Sequence, residues 1–358
     1  MILKNYGWKS EHNQIKEILS KEGFELGRVI LQHKRLYRVI TEHGEVLASI
    51  SGKFRFGAVY SFDYPCVGDW VALTLQKEES KAVIHRVIPR RTTFWRQAVG
   101  STIEKQIVCA NMDTVFLVQS LHEDLNMRRL ERYLILAWES GAQPIIILSK
   151  ADLCYDIDSK RRQVEQIAIG VPIHCISVYM NQGIDELTTY LQSGQTIGLL
   201  GSSGVGKSTL ANQLVGQEVQ KTQAIREKDG RGRHTTTYRE LIPLPHGGCL
   251  IDTPGMREIQ IGNIHTGMDE TFTDIQILAD SCHFRNCSHQ SEPDCAILQA
   301  LRDGTLKLER YISFLKLQKE LDYHARKTDK KKELEEKKLW KQRSHEQRQH
   351  LKNKKRLK

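Results

Sequence analysis

The stretch "GSSGVGKST", residues 201–209, decides how the middle of this chain folds. It matches G-x-x-x-x-G-K-[ST] and stands between an apolar run, "TIGLL", and a predicted helix, which is the context of a phosphate-binding loop. Glycines let backbone N–H groups turn toward phosphate oxygens, and the following helix directs its positive end at the same anion. Lys207 is predicted to act as a catalytic group on the β- and γ-phosphates, and the Ser208 hydroxyl to bind Mg²⁺. The predicted nucleotide-binding residues here are Gly201, Ser202, Ser203, Gly204, Val205, Gly206, Lys207, Ser208 and Thr209.

An upstream tetrapeptide, "SKAD" at 149–152, follows the apolar run "QPIIIL" and is predicted to read the base. In a motif of the form N-K-x-D, the carboxylate accepts hydrogen bonds from guanine N1–H and the 2-amino group, and adenine offers neither donor there. Asp152 is therefore expected to select GTP over ATP. The predicted base-binding residues are Ser149, Lys150, whose stem would cover one face of the ring, Ala151, Asp152, and Ser177 at the start of a companion loop, "SVYMNQGIDEL".

A third motif, "DTPG" at 252–255, follows the apolar run "CLI" and is expected at the γ-phosphate. Asp252 fits a carboxylate on the metal side, and Gly255 fits a residue whose N–H senses the γ-phosphate. The preceding segment, "REKDGRGRHTTTYREL", is glycine-rich and basic, as expected of a switch loop. One of Thr235 and Thr236 is predicted to ligate Mg²⁺ in the triphosphate state.

Three of the eight cysteines cluster with a histidine in the pattern Cys282-x4-Cys287-x-His289-x5-Cys295. Three thiolates and one imidazole suit a tetrahedral structural zinc that leaves no position open for a substrate. His283 is a rival ligand, but it adjoins Cys282 and fits the pattern less well. The other five cysteines are scattered and are interpreted as small core residues in a reducing compartment.

The order of the motifs differs from that of an ordinary GTPase, in which the phosphate loop comes first. Here the base motif and the companion loop precede it. A circular permutation produces this order without changing the sheet or the site, because termini at a surface connection can be relocated. With "GRHTTT", "DTPG", the "SKAD" position and the cysteine cluster, the chain resembles the circularly permuted GTPases of the RsgA (YjeQ/YloQ) family over roughly residues 22–325. That family comprises biogenesis factors of the small ribosomal subunit.

The resemblance implies an N-terminal OB-fold, consistent with the short alternating strands between Leu26 and Pro89, and turnover stimulated by the small subunit. It also implies that His234 orients the attacking water, since Met256 directly follows "DTPG" and cannot orient water as an amide does. Ser149 departs from the family's asparagine. Because serine cannot both contact the base and brace the phosphate loop, we expect weaker nucleotide affinity with guanine selectivity retained. Val178 replaces a usual alanine, and we expect little effect there.

The predicted architecture is multidomain, with an OB-fold-like β-barrel, a central α/β circularly permuted P-loop GTPase domain and a mainly helical zinc-binding domain. The polar stretch "IPRRTTFWRQAVGSTIEKQ" is interpreted as a linker, and an apolar stripe at Leu308, Tyr311, Ile312 and Leu315 as core packing. The expected boundaries are an N-terminal extension at 1–21, the barrel at 22–92, the GTPase domain at 93–265, the zinc domain at 266–325 and a basic tail at 326–358.

The charge of the chain is concentrated at its end. Residues 326–358 hold 15 Lys or Arg and 5 Asp or Glu, a net of +10, which equals the net charge of the whole chain. Such a tail is either a solvated, partly helical segment or an arm for a polyanion such as rRNA. No apolar run approaches the ~20 residues that span a bilayer, and the first residues lack a signal-peptide core, so a cytoplasmic protein is expected. We also expect a monomer.

The sequence favours a GTP hydrolase that binds the small ribosomal subunit and assists its late assembly. An alternative is an rRNA-binding module that uses GTP only as a switch, with negligible turnover. A third possibility is an ATP-dependent P-loop enzyme, against which Asp152 argues. The zinc domain directly follows the switch segment after "DTPG", so we also hypothesise that the nucleotide state changes how that domain docks.

Overall fold

The computed structural model of the chain describes residues 2–33, 36–58, 60–76, 81–97, 105–122, 125–216, 239–245, 247–252, 266–323 and 325–326. The predicted switch residues His234, Thr235 and Thr236 lie outside the described residues, as do Gly255 and the basic tail beyond Arg326. No helix in these ranges is both long enough and apolar enough to cross a membrane.

Near the N-terminus, five of the described strands close into a barrel with the order β1-β2-β3-β5-β4, and β4 pairs back with β1. β3 and β5 are parallel and the other pairs antiparallel. Side chains of all five strands, among them Val29, Val39, Ala48, Val71 and Ile84, form one buried cluster, and the closed strand order confirms the predicted barrel. The strands are β1 (Glu25–Gln32), β2 (Tyr37–Thr41), β3 (Gly44–Ile50), β4 (Trp70–Gln76) and β5 (Lys81–Val87).

Short helices flank the barrel. A 3₁₀ helix (Ile2–Tyr6) and α1 (Glu11–Lys21) precede it, and Leu19 of α1 is buried in the core. α1 thus lies within the N-terminal extension expected at 1–21. A second pair, α2 (Gly52–Gly57) and a 3₁₀ helix (Ser61–Asp63), lies in the connection between β3 and β4.

Within the polar stretch interpreted as a linker (88–106), residues 93–97 form β6 (Thr93–Gln97) and residues 105–106 begin β7 (Lys105–Ala110), and these two strands pair antiparallel. Phe94, Val108 and Cys109 are buried at their centre. The linker interpretation is therefore wrong for Thr93–Gln97 and for Lys105 and Gln106, which pair with them. Aromatic and β-branched residues favour strands even when their neighbours are charged.

The central sheet has the strand order β10-β9-β8-β11-β13-β12, in which only β12 is antiparallel to its neighbour. The chain runs outward through β8, β9 and β10 and then returns with β11 on the other side of β8. Such a reversal is a topological switch point, where open α/β sheets bind ligands at the carboxyl ends of the strands. The strands are β8 (Thr114–Ser120), β9 (Gln143–Ser149), β10 (Ile173–Cys175), β11 (Thr196–Leu200), β12 (Glu240–Pro243) and β13 (Cys249–Asp252).

Helices cover the sheet, and α3 (Met127–Ser140) shows how their ends are set. Asn126 caps its start by accepting the Arg129 N–H at 3.0 Å, and Gly141 ends it with a φ of 81°. The apolar face of α3 is buried, including Leu130 and Leu134. The other helices of this part are α4 (Ile157–Glu165), α5 (Lys207–Val215) and 3₁₀ helices at Ala151–Leu153 and Asp185–Tyr190.

The C-terminal unit (266–323) contains α6 (Thr266–Thr271), α7 (Thr273–Asp280), α8 (Ala296–Asp303) and a further helix over 308–323, called here the C-terminal helix. α6 of this unit packs closely on α3: a Cβ at Gly267 of α6 would lie 2.2 Å from the Ile135 carbonyl oxygen of α3. The predicted mainly helical domain is therefore present.

The buried face of the C-terminal helix differs from the predicted stripe. Tyr311 is buried as expected, but Leu308 is 58% exposed, while the polar residues Arg310 and Ser313 are buried. Both bind Glu131 of α3, which is only 2% exposed. Because Arg310 and Ser313 face Glu131, the buried face of the helix does not coincide with its apolar stripe. The prediction that Leu308 packs in the core is therefore wrong.

Arg28 of β1 connects the barrel to the central sheet. Its side chain is 1% exposed and stacks over Trp70, with 5.2 Å between Cζ and the ring centroid. β1 also pairs with β12 at Leu31 and Glu240, so barrel and sheet are continuous. The guanidinium donates to the carbonyls of Tyr6, Gly68 and Asn111, to Thr196 Oγ1 and to Cys249 Sγ.

Candidate nucleotide site and metal centre

The predicted phosphate loop leaves the carboxyl end of β11 at the switch point between β8 and β11. Gly201 approaches β8 so closely that a Cβ there would lie 2.3 Å from the Val118 carbonyl oxygen. Gly204 and Gly206 have φ angles of 77° and 91°, which side chains rarely adopt. Glycine is thus required by close packing at one position and by backbone conformation at two others.

Val205 anchors the loop, being 1% exposed within the core beneath the sheet, while Ser203 and Gly204 face solvent. Lys207 begins α5, and its ammonium group donates to the Ser202 carbonyl across the loop. No side chain caps the start of α5 at Gly206. The first amides of α5, including those of Ser208 and Thr209, point toward the space above the loop, where an anion is favoured.

The predicted base motif begins at the carboxyl end of β9, two strands from β11. Ser149 is 4% exposed, and its Oγ lies 2.6 Å from the Val205 carbonyl oxygen of the phosphate loop and 3.1 Å from that of Gln119. A hydroxyl has one proton, so Ser149 braces the phosphate loop and has no second donor for a base. The brace expected from asparagine in this family is therefore supplied by serine.

The remaining base-motif residues turn outward. Lys150 adopts a left-handed conformation with a φ of 57°, and a single 3₁₀ turn over Ala151–Leu153 follows it. Asp152 is exposed on this turn. Ala151 is buried, and its N–H donates to the Ile176 carbonyl at 3.0 Å, next to the predicted companion loop.

The companion loop is folded around Ser177, which is fully buried. Its Oγ accepts the Met180 N–H at 3.1 Å, and its backbone exchanges two hydrogen bonds with Gln182 at 3.0 and 2.8 Å. Gln213 of α5 donates to Asn181 Oδ1 at 3.2 Å. Hydrogen bonds thus connect all three predicted loops: phosphate loop to base motif, base motif to companion strand, and companion loop to α5.

Asp252 ends β13, which is parallel to β11, so its backbone reaches the same edge of the sheet as the phosphate loop. It pairs there with Glu240 of β12. The structure thereby brings together the strand ends that carry Gly201, Ser149, Ser177 and Asp252.

The predicted metal ligands Cys282, Cys287, His289 and Cys295 form one group whose ligand atoms all lie within 4.8 Å of one another. In a tetrahedral zinc site with Zn–S of ~2.3 Å and Zn–N of ~2.0 Å, neighbouring sulfurs are about 3.8 Å apart and sulfur and nitrogen about 3.6 Å. Here Cys282 and Cys295 Sγ are 3.9 Å apart, and His289 Nδ1 lies 3.6 and 3.4 Å from them. The donor set and its spacing fit a tetrahedral metal ion. His283 is not in the group, and its ring packs edge-on against Phe284.

The metal group lies against the start of α8. Burial opposes ionisation of Cys282, but the Ala296 and Ile297 N–H groups donate to its sulfur and lower its pKa. Cys295 caps α8, where its Sγ accepts the Leu298 N–H at 3.5 Å. Thiolates are the form of cysteine that binds metal, so the helix start supports the ligands.

Glu292 organises the ligand loop and was not among the predicted site residues. Its carboxylate accepts the Ser288 hydroxyl and the N–H groups of Ser288, Gln290 and Ser291, and these bonds, that of the Ser288 side chain first, lower its pKa. The sequence does place this acidic residue between the metal ligands His289 and Cys295, and that position could have indicated a role in organising the loop.

Comparison with known proteins agrees with these features. The family model for the RsgA GTPase matches residues 87–262. The small ribosomal subunit biogenesis GTPase RsgA 2 of Lactiplantibacillus plantarum is 47% identical over 86% of this chain and 87% of its own length. A protein of the same name from Listeria monocytogenes is 44% identical over 98% of this chain and 99% of its own length.

Two solved structures are similar to this chain. The crystal structure of YjeQ from Thermotoga maritima has a TM-score of 0.62 and 29% identity, and the match covers 83% of this chain and 98% of the other. YloQ, described as a circularly permuted GTPase, has a TM-score of 0.61 and 26% identity, with coverage of 84% and 95%. The loop order, the N-terminal barrel and the Cys₃His group agree with these matches, which cover most of the chain. The chain therefore belongs to the RsgA family of circularly permuted GTPases.

Proposed function

We propose that this chain hydrolyses GTP to GDP and phosphate while bound to the small (30S) ribosomal subunit, and that it assists late maturation of that subunit. The observation that carries the proposal is the hydrogen-bonded set of three loops at the carboxyl edge of the sheet. The relatives are named as small-subunit biogenesis GTPases, which supports the choice of partner.

We assign the nucleotide contacts as follows. The amides of the phosphate loop and of α5 would hold the phosphates, and Lys207, released from Ser202, would neutralise the β- and γ-oxygens. Asp152 would accept hydrogen bonds from the guanine N1–H and 2-amino group. Mg²⁺ would be held by Ser208 and by Thr235 or Thr236, with Asp252 on the metal side, and would neutralise the charge that develops on the phosphates.

Water activation rests on residues outside the described ranges. His234 is proposed to orient the attacking water, and Gly255 to report the γ-phosphate. Met256 offers no polar group for this task. A site of this composition would turn over slowly alone and faster when the bound subunit completes it.

The Cys₃His group is proposed to hold one structural Zn²⁺, because all four ligand positions come from the protein. We propose the domain boundaries 1–21, 22–92, 93–265, 266–325 and 326–358. The barrel, the zinc domain and the basic tail would contact rRNA. A partner of this kind places the protein in the cytoplasm, where we expect it to act as a monomer.

Measuring GTP hydrolysis with and without purified small subunits tests the proposal. We expect slow basal turnover that rises with added small subunits and not with large subunits. Turnover that stays negligible despite subunit binding would instead favour a GTP-switched rRNA-binding module. Equal affinity for GDP and ADP would contradict the role of Asp152 and favour an ATP-dependent enzyme.

A further inference from the structure

The connection between β3 and β4 exposes three aromatic side chains, two of which stack on each other. Residues 51–64, "SGKFRFGAVYSFDY", hold 5 of the 25 aromatic residues of the chain, so the rings are concentrated there. Phe56 is 96% exposed, Tyr60 55% and Phe62 41%. Single exposed apolar side chains are common, but neighbouring ones mark an interaction surface.

These rings protrude from a segment whose backbone is held in place. Ser51 caps α2 by accepting the Phe54 N–H at 3.1 Å, and Asp63 accepts the Tyr60 N–H at 2.9 Å. From below, the Arg90 guanidinium donates to the Phe62 and Tyr64 carbonyls at 2.6 and 2.8 Å.

Arg90 is itself fixed by Asp69, whose carboxylate is fully buried and lies 2.7 Å from the guanidinium. The backbone that carries the rings is therefore held in place by hydrogen bonds. The rings nevertheless remain exposed to water, although burying a phenylalanine side chain would contribute about 1.5–3 kcal/mol. Tyr60 and Phe62 stack on each other with their centroids 5.0 Å apart and their planes 8° from parallel. A flat aromatic face is thus already formed.

The charge around the rings is positive. Lys53 and Arg55 alternate with Phe54 and Phe56 on α2, and both cations are exposed and form no ion pair with a described residue. The single acid of residues 51–64, Asp63, accepts the Tyr60 amide. Aromatic faces with adjacent cations are what single-stranded nucleic acids bind, because bases stack on the rings and phosphates pair with the cations.

We propose that Lys53, Arg55 and Phe56 of α2 together with the stacked Tyr60 and Phe62, called here the aromatic platform, bind single-stranded RNA, with unpaired bases stacking on the rings and phosphates pairing with the cations. The preference for RNA rests on the proposed ribosomal function. The platform itself lies on the barrel, outside the three nucleotide loops, and does not depend on GTP turnover.

The basic tail also carries charge for RNA, so the test must separate stacking from charge. Fluorescence anisotropy of the full-length chain with a labelled ten-nucleotide oligouridine RNA would be compared with an abasic RNA backbone of the same length. The double variant Phe56→Ala/Tyr60→Ala would be compared with Leu47→Ala, which shortens an apolar side chain that is 51% exposed on β3.

We expect the double variant to bind oligouridine at least fivefold more weakly, since each stacked base contributes roughly 5- to 150-fold. Its binding to the abasic RNA should be unchanged, and Leu47→Ala should match the wild type with both. Circular dichroism should show the same fold, because the substituted rings are exposed.

Unchanged oligouridine binding by the double variant would overturn the proposal. So would an equal loss with oligouridine and abasic RNA, because that would indicate charge alone. Retained RNA binding combined with lost co-sedimentation with small subunits would show that the platform contacts a protein. Basal GTP turnover, measured in parallel, tests the proposed function separately, since the platform variants should leave it unchanged.

Discussion

At the residue scale, the Ser149 hydroxyl lies between two loops that we propose to contact different ends of a nucleotide. It donates to the Val205 carbonyl at 2.6 Å, and the residue is buried. An asparagine side chain has two N–H donors and a carbonyl, and so can brace a loop and contact a base at once, whereas serine has one donor. The short side chain therefore keeps the phosphate loop in position at the expense of a base contact.

Two substitutions at Ser149 should shift GDP affinity in opposite directions. Ser149→Ala removes a hydrogen bond worth about 0.5–1.5 kcal/mol, and so should weaken GDP binding roughly twofold to tenfold. Ser149→Asn should strengthen it, because the amide supplies the missing donor. Titration calorimetry with GDP and ADP measures both affinity and selectivity. Unchanged GDP affinity in a folded Ser149→Asn protein would contradict this role.

Asp152 should determine which purine is bound. In Asp152→Asn, the amide N–H faces the guanine 2-amino group, so two charge-assisted hydrogen bonds are lost and GDP affinity should fall at least about a hundredfold. Xanthine carries an oxygen at that position, which the amide N–H can pair with, so affinity for xanthosine diphosphate should rise.

The matched control for this change is Asp158→Asn, which neutralises another exposed acid in the first turn of α4. It should leave both affinities unaltered. A similar loss of GDP binding in both variants would show that general charge near the site, rather than base reading, is responsible.

At the scale of elements, local signals were sufficient where one segment determines its own structure. The phosphate loop, the buried strands β9 and β11, and the Cys₃His group were all predicted from spacing and apolar runs. β12 was not predicted, because it has only four residues, includes Pro243, and is a strand by virtue of its pairing with β13 and β1. The buried face of the C-terminal helix likewise depends on Glu131, 179 residues away from Arg310, which no local period contains.

The ionic contact between α3 and the C-terminal helix should dominate the docking of these elements. Burial raises the pKa of Glu131, while Ser313 and Arg310 oppose that shift by binding its carboxylate. Arg310 also binds Asp274 at 2.8 Å. Glu131→Ala leaves a buried cation partly unpaired and should lower the free energy of unfolding by about 3–5 kcal/mol.

Two further variants separate pairing from packing. Replacing both partners, as in Glu131→Leu/Arg310→Met, should recover part of the loss, since the fully buried charges are gone and Asp274, which loses Arg310, is 25% exposed to water. Arg132→Ala is the matched control on the same two helices, because Arg132 pairs with Glu320 with both side chains about one-third or more exposed. It should change the free energy by about 1 kcal/mol or less. Urea titration with hydrogen exchange over 308–323 measures each effect.

A metal ion bound by the Cys₃His group should stabilise residues 281–303 of the C-terminal unit. Cys287→Ser removes one of four ligands, so zinc content should fall well below one per chain and hydrogen-exchange protection over 281–303 should be lost. GDP affinity should persist, since the nucleotide loops lie on other elements. Cys175→Ser, at a half-buried cysteine on β10, should retain the metal. Equal zinc content in both variants would contradict the assigned ligands.

At the scale of the whole molecule, the Arg28 contacts and the phosphate loop lie at opposite edges of the same strands. Arg28 reaches Thr196 and Cys249, where β11 and β13 begin, whereas the phosphate loop follows the end of β11. Five residues of strand separate the two edges by ~16 Å. The barrel therefore joins the sheet at two levels: Arg28 lies a strand length away from the phosphate loop, whereas the pairing of Leu31 with Glu240 lies beside Asp252.

Arg28 is accordingly predicted to affect stability and not nucleotide affinity. Within the described residues its donors meet carbonyl, hydroxyl and thiol groups and no carboxylate. Arg28→Met would leave several of these acceptors buried and unpaired, each at about 1–3 kcal/mol, so unfolding should become easier by several kcal/mol. Arg28→Lys keeps the charge but cannot span the same acceptors, so its free energy of unfolding should lie between those of the wild type and Arg28→Met.

Urea unfolding monitored by tryptophan fluorescence reports on these contacts through Trp70, over which Arg28 lies. GDP affinity measured at temperatures where the variants are folded should equal that of the wild type, and a large loss there would show that the barrel joint also shapes the nucleotide loops.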